Sequence, residues 1–310
     1  MHQHSSIQLL SNHEIDRNLW DKCIIASPNG LIYARSFYLD KMCPGWKAMA
    51  AENYDWVLPL TQRTKWGISY LYQPSFTQQL GVYARPGIDI PFPGIIECLQ
   101  KHYSFCETDW NYAIERKKIC TDFQITEATN FILNLNDTYQ NLFKNYHNDL
   151  VKNLKRSHRF HHLYRETADY NKCIRLYKEY YASRLPMIKD VDYQQFRQMC
   201  DCANEHNGVT CREVVNKENE IMACALLLSD GQRLYNIMNT TTEAGRRTAA
   251  NHFLVDAIIR EFSGKDVLFD FEGSDVPGVR SFYENFGAVN QPFFRVKYNK
   301  LPWPLRLVKK

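Results

Sequence analysis

The sequence predicts a mixed α/β fold in two successive halves, and three observations carry that expectation. The chain has 310 residues, enough for about two domains that each bury a core. Runs in which aromatic and β-branched residues alternate with polar ones recur in both halves, separated by amphipathic stretches of helical period. The C-terminal part runs hairpin, then strand–loop–helix–strand–helix–strand, the order of a mixed sheet with helices on its faces.

Taken in order, residues 7–10 read as a strand, and Ser11 or Asn12 caps an amphipathic helix from Glu14 to Ile25. A short helix over 35–42 ends at Pro44-Gly45. Strand-like runs follow at 46–51, 56–62, 67–72 and 76–83. Residues 91–103 form a helix with proline near its start, and further strands are expected at 111–113 and 122–127.

The strand Phe131-Ile132-Leu133-Asn134-Leu135 closes the first half, which places the domains at 1–136 and 137–310. Asp137 or Thr138 then caps a helix leading into the most basic stretch, residues 152–159. Helices are expected at 170–184 and 193–206. Strands follow at 209–215, 221–228 and 233–238, with Asn207-Gly208 and Asp230-Gly231 as turns. One long helix is expected from Arg246 to Phe262, then a strand at 267–271, a helix at 276–285 and a last strand at 293–298.

Composition narrows the function. The net charge of +4 is mildly basic, so an anionic ligand needs a local patch. No secretory leader and no apolar run of roughly 18 residues is visible, so no membrane span is expected. The ten cysteines are scattered through apolar stretches, which points to reduced thiols and a cytoplasmic protein. Cys200 and Cys202 alternate on a helix without a second pair, so no metal is expected. Phosphate-loop, dinucleotide-fold, zinc-protease and nucleophile-elbow motifs are all missing.

Four constellations can carry chemistry. In the strand–loop–helix over 233–262, Asn239, Thr241, Arg246, Arg247, Thr248 and Asn251 surround a helix start. Arg246 and Arg247 there oppose the helix dipole unless an anion binds. Asp270 and Glu272, at alternate positions of a strand end, are either a general base towards an amine or structural carboxylates paired with Arg280. Tyr283, on a helix whose Phe282 and Phe286 belong to the core, is either a proton donor to a leaving group or a buried ring. Lys152, Lys155 and Arg156 either hold phosphates or form a solvated face, and Arg280 is a further candidate to hold substrate or phosphate.

The run Phe269-Asp270-Phe271-Glu272-Gly273-Ser274 followed by Gly278-Val279-Arg280-Ser281-Phe282-Tyr283-Glu284-Asn285-Phe286-Gly287-Ala288 resembles the C-terminal signature of the Fem-like, peptidoglycan aminoacyltransferase-like branch of the GNAT superfamily. The stretch from Asn134-Leu135 to His147–Arg156 is similar to that branch's entry into its second domain. Gln73–Gly81 resembles segments of bacterial members. The resemblance covers nearly the whole chain.

It implies two tandem GNAT-like domains and an N-acyltransferase that moves an acyl group from acyl-CoA to a small-molecule or peptide amine, with the donor site in the C-terminal domain. Asp270 or Glu272 would take the amine's proton, backbone N–H groups near Asn239 would meet the donor carbonyl, and Arg246 or Arg247 would bind phosphates. In GNAT domains the pyrophosphate sits on a Q/R-x-x-G-x-G/A turn. The corresponding Glu243-Ala244-Gly245-Arg246-Arg247-Thr248-Ala249-Ala250 spaces its glycine differently. Two alternatives stand beside this reading: a Fem-type aminoacyl-tRNA-dependent transferase with tRNA as partner, and a non-catalytic ligand-binding or scaffold protein.

Overall fold

The chain divides into two units, one of Met1–Ala128 with Pro292–Lys310 and one of Thr129–Gln291. The computed structural model describes residues 7–119, 122–273, 276–303 and 305–308, so Ser274 of the C-terminal motif lies outside the described residues.

The first unit begins with β1 (Ile7–Leu10), α1 (Arg17–Ala26), α2 (Ser36–Met42), β2 (Lys47–Ala51) and β3 (Trp56–Leu60). It continues with β4 (Gln62–Lys65), β5 (Ile68–Tyr72), β6 (Tyr83–Ala84), α3 (Phe92–His102), β7 (Phe105–Trp110) and β8 (Gln124–Ala128). Asp16 caps α1, accepting from the N–H groups of Asn18 and Leu19, whereas Ser11 caps a short 3-10 turn before it. Strands β1, β2, β3 and β6 form an antiparallel sheet in that order.

The second unit contains β9 (Phe131–Asn134), α4 (Tyr139–Lys144), α5 (Asn148–His158), β10 (Leu163–Thr167), α6 (Tyr170–Tyr181) and α7 (Asp190–Asn204). Then come β11 (Val209–Val215), β12 (Ile221–Ser229), β13 (Arg233–Thr241), α8 (Glu243–Arg247), α9 (Ala250–Phe262), β14 (Leu268–Asp270), α10 (Pro277–Glu284) and β15 (Val289–Asn290). Its seven-stranded sheet runs β10-β11-β12-β13-β14-β9-β15 and is antiparallel except at β13–β14. Alternation along the strands separates two faces. Val214, Ala223, Ala225 and Leu227 pack on Leu150 and Leu154 of α5 and on Leu254, Ile258 and Ile259 of α9. Cys211 and Cys224 face the other way, where α6 and α7 lie.

From β15 the chain returns to the first unit as β16 (Phe293–Asn299), followed by α11 (Leu305–Val308). Strand β16 completes a second sheet there, ordered β4-β5-β7-β16-β8, with its core at Leu71, Trp110, Val296 and Tyr298.

The structure differs from the sequence expectations in four places. The unit boundary precedes β9, because β9 pairs with β14, and residues 292–310 leave the second unit because β16 pairs with β7 and β8. The strand expected at 111–113 lies at Phe105–Trp110 instead. Residues 76–82 form no strand beyond one bridge from Leu80 to Trp110. The long helix expected from Arg246 is broken: α8 ends at Arg247, and Ala249 adopts a left-handed backbone, φ 56°, before α9 starts.

Candidate functional site

The site lies where two parallel strands part. Strands β13 and β14 pair only through Arg233–Leu268, Leu234–Phe269 and Tyr235–Asp270. Beyond that point β13 runs on to Thr241, while the N–H of Phe271 turns to the carbonyl of Phe131 at 2.9 Å on the β9 side. The opening is a cleft of about 490 Å³, with Asn236, Ile237, Asn239 and Thr241 along one wall and Phe271, Glu272 and Gly273 along the other. Helix α6 contributes Tyr177 and Tyr181, α9 contributes Asn251, and α10 contributes Phe282 and Tyr283.

A β-bulge shapes the β13 wall. Leu226 pairs with Met238 and Leu228 with Tyr235, so Leu227 opposes both Asn236 and Ile237. The extra residue breaks the two-residue alternation and brings Asn236 to the same cleft as Ile237, Asn239 and Thr241. Asn236 is only 5% exposed. Its Oδ1 and the Oδ1 of Asn251 have no hydrogen-bond partner among the described residues. Two buried acceptors aimed at one cleft each carry a desolvation cost that a ligand N–H would remove.

The two carboxylates expected on one face are separated. Strand β14 ends at Asp270, and Glu272 takes a left-handed backbone, φ 64°, which redirects its side chain to the cleft. Asp270 stays behind, 1% exposed. Its Oδ2 accepts from Arg233 Nη1 at 2.6 Å and from Asn130 Nδ2 at 3.2 Å, and its Oδ1 from the N–H of Glu272 at 2.9 Å. With its lone pairs so occupied, Asp270 acts as the support that holds Glu272 in its unfavourable conformation. Arg280 pairs with Glu284 at 3.0 Å, not with either carboxylate, and its guanidinium lies 5.7 Å from the centre of the Phe131 ring.

Tyr283 packs against Phe271, ring centres 4.9 Å apart, and Tyr177 lies one helical turn from Tyr181, at 5.1 Å. Burial, and then the charge of Glu272, push the Tyr283 hydroxyl's pKa well above its ordinary value. Burial, Tyr193, Tyr181 and Glu272 do the same for Tyr177. Both phenols therefore keep their protons near neutrality.

The loop after β13 is closed rather than open. Gly245 is pressed against β12: a Cβ there would stand 1.9 Å from the carbonyl oxygen of Met222. The Gly245 N–H goes to Thr242 Oγ1, and those of Arg246, Thr248 and Ala249 go to preceding carbonyls. This glycine serves close packing, and the N–H groups of Gly245, Arg246, Thr248 and Ala249 are spent within the turn. Arg246 and Arg247 occupy the last turn of α8, where the dipole favours cations, so the unfavourable placement expected from the sequence does not arise.

Both arginines are exposed, as are Lys152, Lys155 and Arg156. Lys152 pairs with Asp149 at 3.0 Å. The guanidinium of Arg156 donates to the carbonyl of Arg247, which joins the two basic stretches into one patch. Thr248 turns inward, its Oγ1 bonding the carbonyls of Ala244 and Gly245. Beside the patch, His252 stacks edge-on to Phe282 at 5.0 Å. Burial and then the charge of Arg156 lower its pKa to about 4.

Of the residues singled out from sequence, Glu272, Tyr283, Asn239, Thr241 and Asn251 meet in the cleft. Arg246, Arg247 and Arg156 form the patch, with Lys152 and Lys155 exposed on the same helix as Arg156; Asp270 is buried behind the cleft, and Thr248 and Arg280 do not line it. Sequence reasoning missed Tyr177, Tyr181 and Asn236. Signals existed: a tyrosine pair at helical spacing, and one amide inside the apolar run Leu234–Met238.

No known family profile matches the chain, and no curated protein matches it by sequence. Solved structures do. FemX superposes with a TM-score of 0.65 at 13% identity, over 96% of this chain and 99% of that one. A conserved protein of unknown function from Bacteroides thetaiotaomicron gives 0.58 at 11%, over 92% and 98%. The C-terminal DUF2156 domain assigned to a lysylphosphatidylglycerol synthetase from Agrobacterium fabrum gives 0.54 at 10%, over 85% and 86%. The chain thus shares the fold of FemX and of that DUF2156 domain over most of its length. Among the described residues no helix is long and apolar enough to cross a membrane.

Proposed function

We propose that the second unit is an N-acyltransferase whose donor carbonyl sits in the parting of β13 and β14 and whose base is Glu272. The observation that carries this reading is the placement of Glu272: a carboxylate on the cleft wall, in a backbone conformation costly for its residue type, fixed by a buried ion pair behind it. The amine lone pair forms the new C–N bond, and the C–S or C–O bond to the leaving group breaks. The amine's proton passes to Glu272 or a water it holds, while Tyr283 donates a proton to the departing atom. Backbone N–H groups on the β13 side near Asn239 would stabilise the oxyanion.

Acyl-CoA is the donor we favour. Arg246, Arg247, Lys155 and Arg156 would hold its phosphates through side chains, since the N–H groups of Gly245, Arg246, Thr248 and Ala249 are spent within the turn. A second reading, aminoacyl-tRNA as donor, is favoured by the polarity of the cleft. Its lining includes Glu272 and the unpaired oxygens of Asn236 and Asn251 but no Lys, Arg or His, which suits an acyl group bearing an α-ammonium. Under either reading the protein works in the cytoplasm.

The melting temperature with coenzyme A, acetyl-CoA, longer acyl-CoAs and aminoacyl-tRNA tests this. A ligand at about a hundred times its Kd adds roughly 2.7 kcal/mol. A CoA-dependent rise lost in Arg246→Ala supports the favoured donor, and a rise with aminoacyl-tRNA alone supports the second. No rise with any donor, together with no transfer to amines, would replace both with a non-catalytic role.

A further inference from the structure

The first unit carries a surface that the transfer chemistry does not use. Lys65 of β4 pairs with Ile68 of β5, so Trp66 and Gly67 form the whole hairpin turn, both in left-handed backbone, φ 53° and 75°. Such turns select Asn, Asp or Gly. Here the position holds a tryptophan that is 71% exposed, gaining little burial in return. The Nζ of Lys65 lies 4.6 Å from the centre of the Trp66 ring.

Lys65, Trp66 and Ile68 share an apolar groove with Leu301 and Leu305 of the C-terminal segment. Trp303, between those two leucines in sequence, is 78% exposed. One exposed indole thus lines the groove, and a second lies on the segment that supplies its two leucines.

The two stretches of sequence that carry these residues are charged with one sign. Residues 62–72 and 293–310 contain Arg63, Lys65, Arg295, Lys297, Lys300, Arg306, Lys309 and Lys310 and no Asp or Glu. Arg295 and Lys297 are matched by Asp109 and Glu107 of β7, at 3.2 and 3.1 Å, and Lys300 bonds only the neutral Gln100. Arg63, Lys65, Lys300 and Arg306 are all exposed.

We infer that the Trp66 hairpin and the Leu301–Leu305 segment dock the protein on an anionic lipid bilayer. Indoles favour the headgroup level, where an apolar ring and a polar N–H are both accommodated. The surrounding cations are each worth about 1 kcal/mol near an anionic leaflet. A neutral protein partner would leave those charges unmatched. A bilayer with acidic headgroups meets both the rings and the charge.

The test is co-sedimentation of the full chain with phosphatidylcholine vesicles, with and without about a third phosphatidylglycerol. Binding to the anionic vesicles only, weakening as salt rises, is expected. Replacing Lys65 and Arg306 by Gln should weaken it about fivefold each. Trp66→Ala with Trp303→Ala should abolish binding. All four side chains are exposed, so an unchanged melting temperature checks the fold. Quenching of tryptophan fluorescence by brominated lipid should vanish in the same pair.

No binding at low salt, or binding indifferent to these substitutions, overturns the inference. So would a dimer in solution that Trp66→Ala dissociates, which would assign the groove to a second copy of the chain.

Discussion

Arg233 and Asp270 form an ion pair of 2.6 Å, with 5% and 1% of their side chains exposed, between the first register position that β13 and β14 share, at Arg233, and the last, at Asp270. The pair thereby ties the two strands together along the length of their short parallel ladder, and the other oxygen of Asp270 takes the N–H of Glu272. Removing one partner leaves a buried charge alone, so Asp270→Asn should lower stability by about 3–5 kcal/mol in denaturant melts. Arg233→Met combined with Asp270→Leu should restore most of that stability but not transfer activity, because Glu272 loses its anchor. Full activity in the double variant would refute the supporting role.

Glu272 separates stability from chemistry. Its left-handed backbone favours glycine, so Glu272→Gly should leave stability unchanged or raise it by about 1 kcal/mol of relieved strain. Transfer should fall about a hundredfold or more. Glu272→Gln should show the same loss while donor binding by thermal shift persists.

Gly245 is fixed by contact, not by function. A methyl group 1.9 Å from the Met222 carbonyl forces β12 and α8 apart, so Gly245→Ala should cost about 3 kcal/mol. Retained stability would show that the turn yields more easily than its packing implies.

His252 sets part of the acid sensitivity. Burial and Arg156 lower its folded pKa from 6.5 to about 4. Between those values the unfolded chain binds the proton and the folded one does not, so stability falls as pH drops through this window. His252→Phe should flatten that part of the melting temperature against pH, and an identical profile in wild type and variant would refute the assignment.

Periodicity and turn chemistry made much of the fold legible. The hairpin at Asp230-Gly231, the strands beginning at Val209, Ile221 and Arg233, and the helix behind Phe286 are local patterns that the structure keeps. Glu272, Tyr283, Asn239, Thr241 and Asn251 could be singled out because they flank strand ends and a helix start. Arg246 and Arg247 were placed at a helix start because nothing local reveals that Gly245 must press on Met222.

What the sequence determined by itself is what neighbours along the chain decide: which stretches are strands and helices, that there are two halves, and which polar residues gather at their ends. Tertiary structure alone decided that Asp270 lies behind the cleft and Glu272 within it. It also decided that a bulge turns Asn236 inward and that β16 returns to the first unit. Each depends on a hydrogen bond or strand pairing between distant segments: Asp270 with Arg233, Leu227 across from Asn236, and β16 between β7 and β8. Such pairings leave little trace in the order of residues, because their partners are chosen in space.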